Sequence, residues 1–327
     1  MPEIRRNPLT GVHVVVAPER SKRPARVRLL DQTVPGGTCP FCAGNESATP
    51  PAIVTCVDRE TNAWTLRVIP NRYPALQVEA EGVDHAAGPY DRIAGVGAHE
   101  VIIESPLHDA DAPDMSVGAW RQVFAAWQAR TADLAGDQRL AHVQVFRNRG
   151  ALAGATLEHP HSQLIATPVV PGGVQAEFDR ARAWQQTRGR ALLDDIVDYE
   201  VEDGARVLFA DANVVVFCPW ASRFAFETWI VPRERAPRFE QASSTSRDAV
   251  ADATRDAIRR VLRATSGAGY NLLVQNAPLR VADVSPWRWH VRLQPRGGRI
   301  AGFEWATGDA INATPPEDAA EFLRGVS

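Results

Sequence analysis

The chain has 327 residues, which at about 150 residues per domain indicates two domains or one duplicated domain. Lys and Arg number 36 against 39 Asp and Glu, and this formal net charge of −3 argues against nucleic acid as a partner. Four cysteines are too few for a disulfide scaffold, and no apolar stretch reaches the roughly 18 residues of a membrane helix. Because no apolar segment follows the first arginines, we expect no secretory signal and no membrane partner, and therefore a cytoplasmic protein with reduced thiols.

The first part of the chain is predicted to form short strands around one helix. Trp120, Val123 and Trp127 fall on one face at helical spacing and predict a helix. This helix spans 116–135, with Ser116 as its N-cap. Apolar and β-branched runs predict strands over 11–17, 52–57, 64–69, 99–104, 142–146 and 163–166.

The second part repeats this order of elements. Strands mixed with helices predict an α+β fold with a largely antiparallel sheet, in two related halves, 1–173 and 174–327. Helices are predicted over 174–196 and 245–265 and from Pro315, and strands over 207–217, 228–231, 270–275 and 289–293.

Two pairs of segments carry the similarity between the halves. The strand 142–148 parallels 270–276, and the segment 159–168 parallels 287–295. We interpret this as an ancient duplication, with chance similarity of β-rich segments as the alternative.

Two histidines stand at positions i and i+2 in His159-Pro160-His161. On a strand both rings point to one face, and Pro160, which cannot donate to a sheet, places the pair at a strand entry or edge. The chemistry open to the pair is metal ligation, nucleophilic attack or one of each. A structural pair with satisfied ring nitrogens is the alternative.

Cys39-Pro-Phe-Cys42 lies in a glycine-rich turn. A CxxC of this kind indicates half of a zinc site or a redox pair, and the flanking glycines favour a metal-binding turn. Cys56 and Cys218 lie in apolar runs and are interpreted as buried small hydrophobes. Because no second CxxC exists, His or carboxylate must complete a tetrahedral site, and the candidates are His99, His108, His159 and His161.

The segment 146–156 leads into the histidine pair. Gly150 and Gly154 allow a close approach of the backbone, and Asn148 and Thr156 can hydrogen-bond a phosphate or a sugar. Such a loop suits attack of a histidine on a phosphate ester, with an ordinary turn-rich loop as the alternative.

With these motifs the chain resembles the galactose-1-phosphate uridylyltransferase family of the histidine-triad superfamily. In triad hydrolases a third His follows the pair at i+2, whereas Gln163 stands there in this chain, as in the transferase branch. The resembling segments follow the family order across nearly the whole chain, at 20–24, 39–46, 69–76, 104–109, 148–163, 226–229 and 301–308.

The resemblance implies a covalent mechanism. His161 would attack the α-phosphorus of a UDP-sugar, expel the sugar 1-phosphate and hold the uridylyl group until a second sugar 1-phosphate takes it. The other ring nitrogen of His161 must be held as a donor, and we expect the carbonyl of His159 to accept its hydrogen. Gln163 would hydrogen-bond the phosphoryl oxygens without donating a proton, which suits an intermediate that must survive until the acceptor arrives.

The resemblance also implies a zinc site and a set of substrate contacts. Four residues match the zinc ligands of the family, namely Cys39, Cys42, His108 and His159. A site with four protein ligands is structural, and His99 is then a strand-entry or structural histidine. Matches to nucleotide, phosphate or hexose contacts are Arg20, Arg23, Asn71, Asn148, Gly154, Thr156, Phe303 and Glu304, and the last two would come from the partner subunit of a homodimer.

Some relatives carry a second metal site built from one Glu and three His. Glu177 and His290 match two of these positions, but Arg288 stands two residues before His290, where a His is common. His290 is the only His after His161, so a third His ligand is missing. We therefore expect the second metal to be absent, with an Arg288–Glu177 ion pair in its place.

The expected function is uridylyl transfer from UDP-glucose to a hexose 1-phosphate such as galactose 1-phosphate. An adenylyl-transferring ADP-glucose phosphorylase, with phosphate as acceptor, is the first alternative. A triad-type nucleotide hydrolase is disfavoured by Gln163, and a catalytically silent, zinc-stabilised nucleotide-binding protein is disfavoured by the intact histidine pair.

Overall fold

The computed structural model describes residues 1–22, 39–79, 85–298 and 300–326, and its centre is a ten-stranded antiparallel sheet. The strands are β1 (Glu3–Arg6), β2 (His13–Val16), β3 (Val54–Val57), β4 (Trp64–Pro70), β5 (His85–Ala87), β6 (Tyr90–Arg92), β7 (Ala98–Ile103), β8 (His142–Arg149), β9 (His161–Thr167), β10 (Val207–Ala210), β11 (Val214–Phe217), β12 (Thr228–Pro232), β13 (Tyr270–Gln275), β14 (His290–Pro295) and β15 (Ala310–Asn312). The helices are α1 (Val117–Ala135), α2 (Gly172–Arg188), α3 (Leu192–Asp203), α4 (Ser244–Ala264), α5 (Gly302–Thr307) and α6 (Pro316–Gly325). The predicted α+β class with a largely antiparallel sheet is confirmed.

The strand order brings early and late parts of the chain together in the middle of the sheet. The order is β10-β11-β12-β14-β13-β8-β9-β7-β4-β3, so that β8 pairs with β13. Because alternate residues point to opposite faces of a strand, His161 and Gln163 share one face of β9, and Ser162 and Leu164 share the other. The division into related halves, 1–173 and 174–327, stays a prediction.

Helices α1 and α4 cover the face of the sheet that carries Leu164. Trp120 and Trp127 of α1 are buried there together with Ile258 of α4. The indole nitrogen of Trp120 also donates to the carbonyl oxygen of Ala251 at 2.9 Å, which joins the two helices. Each fully buried large apolar side chain stabilises the fold by about 1.5–3 kcal/mol, so this layer is the main hydrophobic core.

Helices α2 and α3 cover one end of the opposite face, the face that carries His161. Phe178 and Val197 pack there against Phe217 and Trp229 of the sheet. A smaller cluster at the other end contains Phe41 and the side chains of Ile69, Val101 and Ile103. The polar side chains of β8, β9, β13 and β14 lie between these two clusters on the same face.

The structure differs from the predicted elements in several places: β5, β6 and α5 were not predicted, and two further differences concern a helix and a sheet. The helix predicted over 174–196 is two helices, because Gly189 takes a left-handed conformation (φ 70°) and ends α2 with a bond from its N–H to the carbonyl of Gln185 at 2.7 Å. The second difference is a three-stranded sheet that was not predicted in full, in which β15 pairs parallel with β2 and β1 pairs with β2. Within the described part of the chain, no helix combines the length and the apolar character that a membrane crossing requires.

Candidate active site

His161 begins β9 and is 7% exposed. Its Nδ1 lies 2.8 Å from the carbonyl oxygen of His159, the contact expected from the sequence. Because a carbonyl only accepts, Nδ1 carries the hydrogen and the lone pair of the neutral ring is on Nε2. Burial lowers the pKa of His161 against the opposing effect of this hydrogen bond, and the nearby Arg147 lowers it further. The ring is therefore neutral and nucleophilic at neutral pH.

His159, two residues earlier, lies in a cluster with Cys39, Cys42 and His108, whose ligand atoms are all within 4.8 Å of one another. Cys42 Sγ lies 3.4 Å from His108 Nδ1 and 3.6 Å from His159 Nδ1. In tetrahedral coordination with metal–sulfur and metal–nitrogen bonds of about 2.3 and 2.0–2.1 Å, such S···N separations are about 3.5 Å. The four residues thus fit a tetrahedral ion with two sulfur and two nitrogen ligands.

The surroundings of this cluster support metal ligation. His159 Nε2 lies 2.8 Å from the carbonyl oxygen of Ser105, so Nε2 carries the hydrogen and Nδ1 is free to ligate. Burial and the neighbouring Cys39 raise the pKa of the Cys42 thiol, so that its thiolate needs a cation. Phe41, between the two cysteines, packs its ring edge-on against both His159 and His161, at centroid distances of 5.9 and 5.5 Å. The cysteine turn therefore positions both histidines.

A cavity of about 180 Å³ adjoins His161, and Asn148 of β8 and Gly150 line it. Asn148 stands beside His161 because Arg147 pairs with Ser162 across β8 and β9. Gly150 has a φ of 83°, and a Cβ there would lie 3.1 Å from Gly269 Cα. A glycine is required at this position both by the positive φ of the backbone and by the close approach of Gly269, the residue before β13.

The loop after Gly150 turns back toward Asn148. Gly154 ends a 3-10 turn in the left-handed conformation (φ 88°), and a Cβ there would lie 3.8 Å from Asn148 Nδ2. Thr156 follows on the surface. The predicted ligand-facing residues Asn148 and Gly154 are thus brought close to each other, and Asn148 lines the cavity beside His161.

Buried charges support the nucleophile strand from behind. Arg147 Nε lies 2.9 Å from Glu104 Oε2, and Arg147 Nη2 lies 3.0 Å from Asp111 Oδ1. Trp127 Nε1 donates to the Ser162 hydroxyl at 2.7 Å. Such buried pairs fix geometry more than they add stability, and here they hold the strand of His161 against the loop that carries His108.

Gln163, two residues after His161, contacts a histidine of the neighbouring strand. Its Oε1 lies 2.9 Å from His99 Nε2, and Asn71 Nδ2 lies 3.1 Å from the same nitrogen. His99 therefore lies against two of the predicted site residues, a position that its interpretation as a strand-entry histidine did not include.

The other predicted substrate contacts that the structure describes do not line the cavity beside His161. Arg20 is exposed in a 3-10 turn at Pro18–Lys22, and Arg23 lies outside the described residues. Phe303 is exposed on α5, and Glu304 lines a different cavity of about 350 Å³ together with Arg223 and Asn312.

The predicted Arg288–Glu177 ion pair is wrong. Glu177 instead pairs with Arg292, whose Nη1 and Nη2 lie 2.9 and 2.7 Å from its two carboxylate oxygens. Arg288 lies before β14, where α3 is its neighbour, and it pairs with Asp194 at 2.7 Å. The guanidinium near Glu177 therefore comes from the residue two positions after His290.

A family model described as galactose-1-phosphate uridyl transferase, N-terminal domain, matches residues 1–171. The chain is 31% identical over 333 residues to an ADP-glucose phosphorylase of Arabidopsis thaliana, covering 100% of this chain and 93% of that protein. The crystal structure of an Arabidopsis ADP-glucose phosphorylase with bound ADP-glucose matches with a TM-score of 0.86 and 29% identity over 100% of this chain and 99% of that one. A galactose-1-phosphate uridylyltransferase of Thermotoga maritima is 26% identical over 99% of this chain and 98% of its own length. The chain belongs to the galactose-1-phosphate uridyl transferase family.

Proposed function

We propose that the protein transfers a nucleotidyl group from a sugar nucleotide to a phosphate acceptor through a covalent intermediate on His161. The observation that carries this proposal is the 2.8 Å contact between His161 Nδ1 and the His159 carbonyl, which leaves the lone pair on Nε2. Nε2 attacks the α-phosphorus, an N–P bond forms, and the P–O bond to the sugar 1-phosphate breaks. An oxygen of the acceptor phosphate then attacks the same phosphorus and releases neutral His161, which gives ping-pong kinetics.

Zinc is the ion that the cluster of Cys39, Cys42, His108 and His159 suits best. Thiolate and imidazole ligands in tetrahedral arrangement are typical of zinc, and four protein ligands leave no open position for chemistry. The ion would tether the cysteine turn and the loop of His108 to the strand of the nucleophile.

The substrate contacts follow from where the side chains lie. Asn71, Asn148 and Gln163 offer amide groups near His161, and Gly154 and Thr156 offer backbone and hydroxyl groups beside the cavity. Arg20 and Arg23 would bring guanidinium groups to the phosphates when substrate is bound. Because α5 lies at another cavity, we propose that Phe303 and Glu304 reach the hexose in the site of a second subunit, which implies a homodimer.

Two donors are candidates. Uridylyl transfer from UDP-glucose to galactose 1-phosphate is supported by the matching family model and by relatives such as the Thermotoga maritima protein. Adenylyl transfer from ADP-glucose to phosphate is supported by the 31% identity to the Arabidopsis ADP-glucose phosphorylase and by the TM-score of 0.86 to a structure with bound ADP-glucose. The second candidate has the higher sequence and structural similarity.

The proposal is tested by incubating the protein with UDP-glucose or ADP-glucose without an acceptor. We expect an adduct of one nucleoside monophosphate that peptide mass spectrometry locates on His161. A uridylyl adduct that galactose 1-phosphate discharges supports the first donor, and an adenylyl adduct that phosphate discharges as ADP supports the second. Accumulation of free nucleoside monophosphate without an adduct would instead indicate a hydrolase, and an adduct on another residue would contradict the role of His161.

A further inference from the structure

We propose that His99 and Asn271 are positioning residues that fix the orientation of the two amides flanking His161, those of Gln163 and Asn148. In each case a side-chain donor occupies the amide oxygen, so that the NH₂ group is the part left for a ligand. This inference rests on the proposed attack of His161 on a phosphoryl group.

The hydrogen bonds around His99 determine which of its nitrogens carries the hydrogen. The backbone N–H of Ala75 can only donate, and it lies 3.2 Å from His99 Nδ1, so Nδ1 is the acceptor and Nε2 carries the hydrogen of the neutral ring. This hydrogen needs an acceptor, and Gln163 Oε1 lies 2.9 Å away. The oxygen of Gln163 is thereby occupied, and its NH₂ group is directed elsewhere.

Asn71, the other neighbour of His99 Nε2, does not compete for this hydrogen. Its Oδ1 accepts the backbone N–H of Tyr73 at 2.8 Å, so that the side that faces His99 is its NH₂ group. An NH₂ group cannot accept, so the 3.1 Å contact between Asn71 Nδ2 and His99 Nε2 is not a hydrogen bond, and the single hydrogen on Nε2 goes to Gln163.

Asn271 holds the second amide by the same logic. The guanidinium Nε of Arg296 can only donate, and it donates to Asn271 Oδ1. The carbonyl oxygen of Ala153 can only accept, and it lies 2.8 Å from Asn271 Nδ2. With its orientation fixed from both sides, Asn271 donates through Nδ2 to Asn148 Oδ1 at 2.7 Å, so Asn148 also presents NH₂.

The consequence is electrostatic. A phosphoryl group under attack carries negative charge on its oxygens, which NH₂ groups stabilise and amide oxygens repel. A free Gln or Asn side chain can rotate its amide by half a turn, and in water both orientations are accessible. By occupying the oxygens in advance, His99 of β7 and Asn271 of β13 remove the unfavourable orientation before substrate arrives, one from each side of the strand pair β8–β9.

Single-turnover nucleotidylation of His161 tests this role, with the dissociation constant of the sugar nucleotide measured in parallel. We expect His99→Phe, which keeps a ring but loses the donor, to slow adduct formation by roughly 10-fold to 100-fold while the dissociation constant changes much less. His99→Gln, whose NH₂ group can replace Nε2–H, should restore most of the rate. Asn271→Asp keeps an acceptor for Arg296 but turns the donor toward Asn148 into an acceptor, and it should slow the same step.

A merely structural role is distinguished by non-additivity. If His99 acts through Gln163, then His99→Phe should slow the reaction little further in a Gln163→Ala background. If His99→Phe instead caused independent structural damage, the fold-losses in rate of the two single variants would multiply in the double variant. Rates for both His99→Phe and Asn271→Asp within about threefold of the parent would overturn the inference, as would full additivity with Gln163→Ala. Adduct formation on His161 in the parent protein separates these outcomes from failure of the proposed function, because no adduct in the parent refutes both.

Discussion

Strands β9 and β14 place a histidine in the same local geometry but in different surroundings. His161 Nδ1 lies 2.8 Å from the carbonyl oxygen of the residue two positions earlier, and His290 Nδ1 lies 3.1 Å from the corresponding carbonyl, that of Arg288. The two rings differ at Nε2. For His161 no hydrogen-bond partner of Nε2 occurs among the described residues, whereas His290 Nε2 accepts from Arg292 Nε at 3.1 Å. The strand geometry therefore fixes the tautomer, and the group that faces Nε2 decides whether the ring is free to react.

The residues on either side of each histidine differ in the same way. On β9 the preceding residue His159 belongs to the candidate metal cluster and the following Gln163 is held by His99. On β14 the following Arg292 binds both His290 and Glu177, and it is 6% exposed. One strand thus keeps an open face for a ligand, and the other fills the equivalent space with its own cation.

The largest expected difference between the two histidines is in activity. His161→Asn should reduce nucleotidyl transfer by about 10³-fold or more, because the nucleophile is lost. His290→Asn, which keeps a donor for the Arg288 carbonyl, should still form the adduct on His161. Intact-protein mass spectrometry and a transfer assay measure both. Loss of the adduct in a folded His290→Asn protein would contradict the distinction.

The second expectation concerns the cysteine cluster. Cys42→Ser should lower the amount of bound metal and reduce the free energy of unfolding by roughly 4 kcal/mol or more, since loss of a metal is among the most destabilising single changes. Cys56→Ser is a matched control, because Cys56 is part of no described metal cluster. Elemental analysis and denaturant unfolding give the two quantities. Equal effects of both substitutions would rule out a metal-based role for Cys42.

The third expectation concerns the cation of β14. Arg292→Leu should cost roughly 3 kcal/mol of unfolding free energy, because it leaves the carboxylate of Glu177, whose side chain is only 13% exposed, without a partner. The double variant Glu177→Leu with Arg292→Leu should recover most of this loss, since an apolar pair of similar volume is often no less stable than a buried ion pair. A double variant as unstable as the single one would show that the cost comes from packing and not from the unpaired charge.

The smallest expected effect is on the pH dependence of stability. Burial, with Arg292 nearby, holds the pKa of His290 well below its usual range, so the native ring stays neutral while the unfolded ring is protonated below about pH 6.5. The contribution of the neutral His290 ring to the free energy of unfolding is complete above that pH. It is lost as the pH falls, at up to about 1.4 kcal/mol per pH unit. Urea unfolding between pH 7 and 5 should show a shallower loss for His290→Asn than for the parent. Identical slopes would contradict a neutral native His290.

Local features of the fold and site could be predicted from the sequence. Ser116 was predicted as the N-cap of α1, and its hydroxyl accepts the N–H of Ala119 at 3.1 Å. The bond from His161 to the His159 carbonyl was predicted because a nucleophilic imidazole needs its other ring nitrogen held as a donor, and this carbonyl lies nearby in the chain. The grouping of Cys39, Cys42, His108 and His159 came from family resemblance, and the structure brings the four together.

What could not be predicted depends on contacts between residues far apart in the chain. Residue 288 lies just before β14 and residues 290 and 292 lie within it, and only the placement of α2 and α3 decides which arginine meets Glu177. The contacts of His99 with Gln163 and of Asn271 with Asn148 depend on the register of β7 against β9 and of β13 against β8. The spacing of residues along the sequence does not predict how strands that are far apart in the chain align with each other.

The guanidinium of Arg292 makes the region around His290 independent of the concentration of free metal. A cation that is part of the polypeptide is present at one copy per chain from the moment of synthesis, at any concentration of free metal. An ion held by Cys39, Cys42, His108 and His159 is taken from a pool, and its occupancy falls when that pool is depleted. Under metal starvation the strand of His290 would keep its cation while the strand of His161 lost its tether, so that metal supply would limit nucleotidyl transfer before it affected the surroundings of β14.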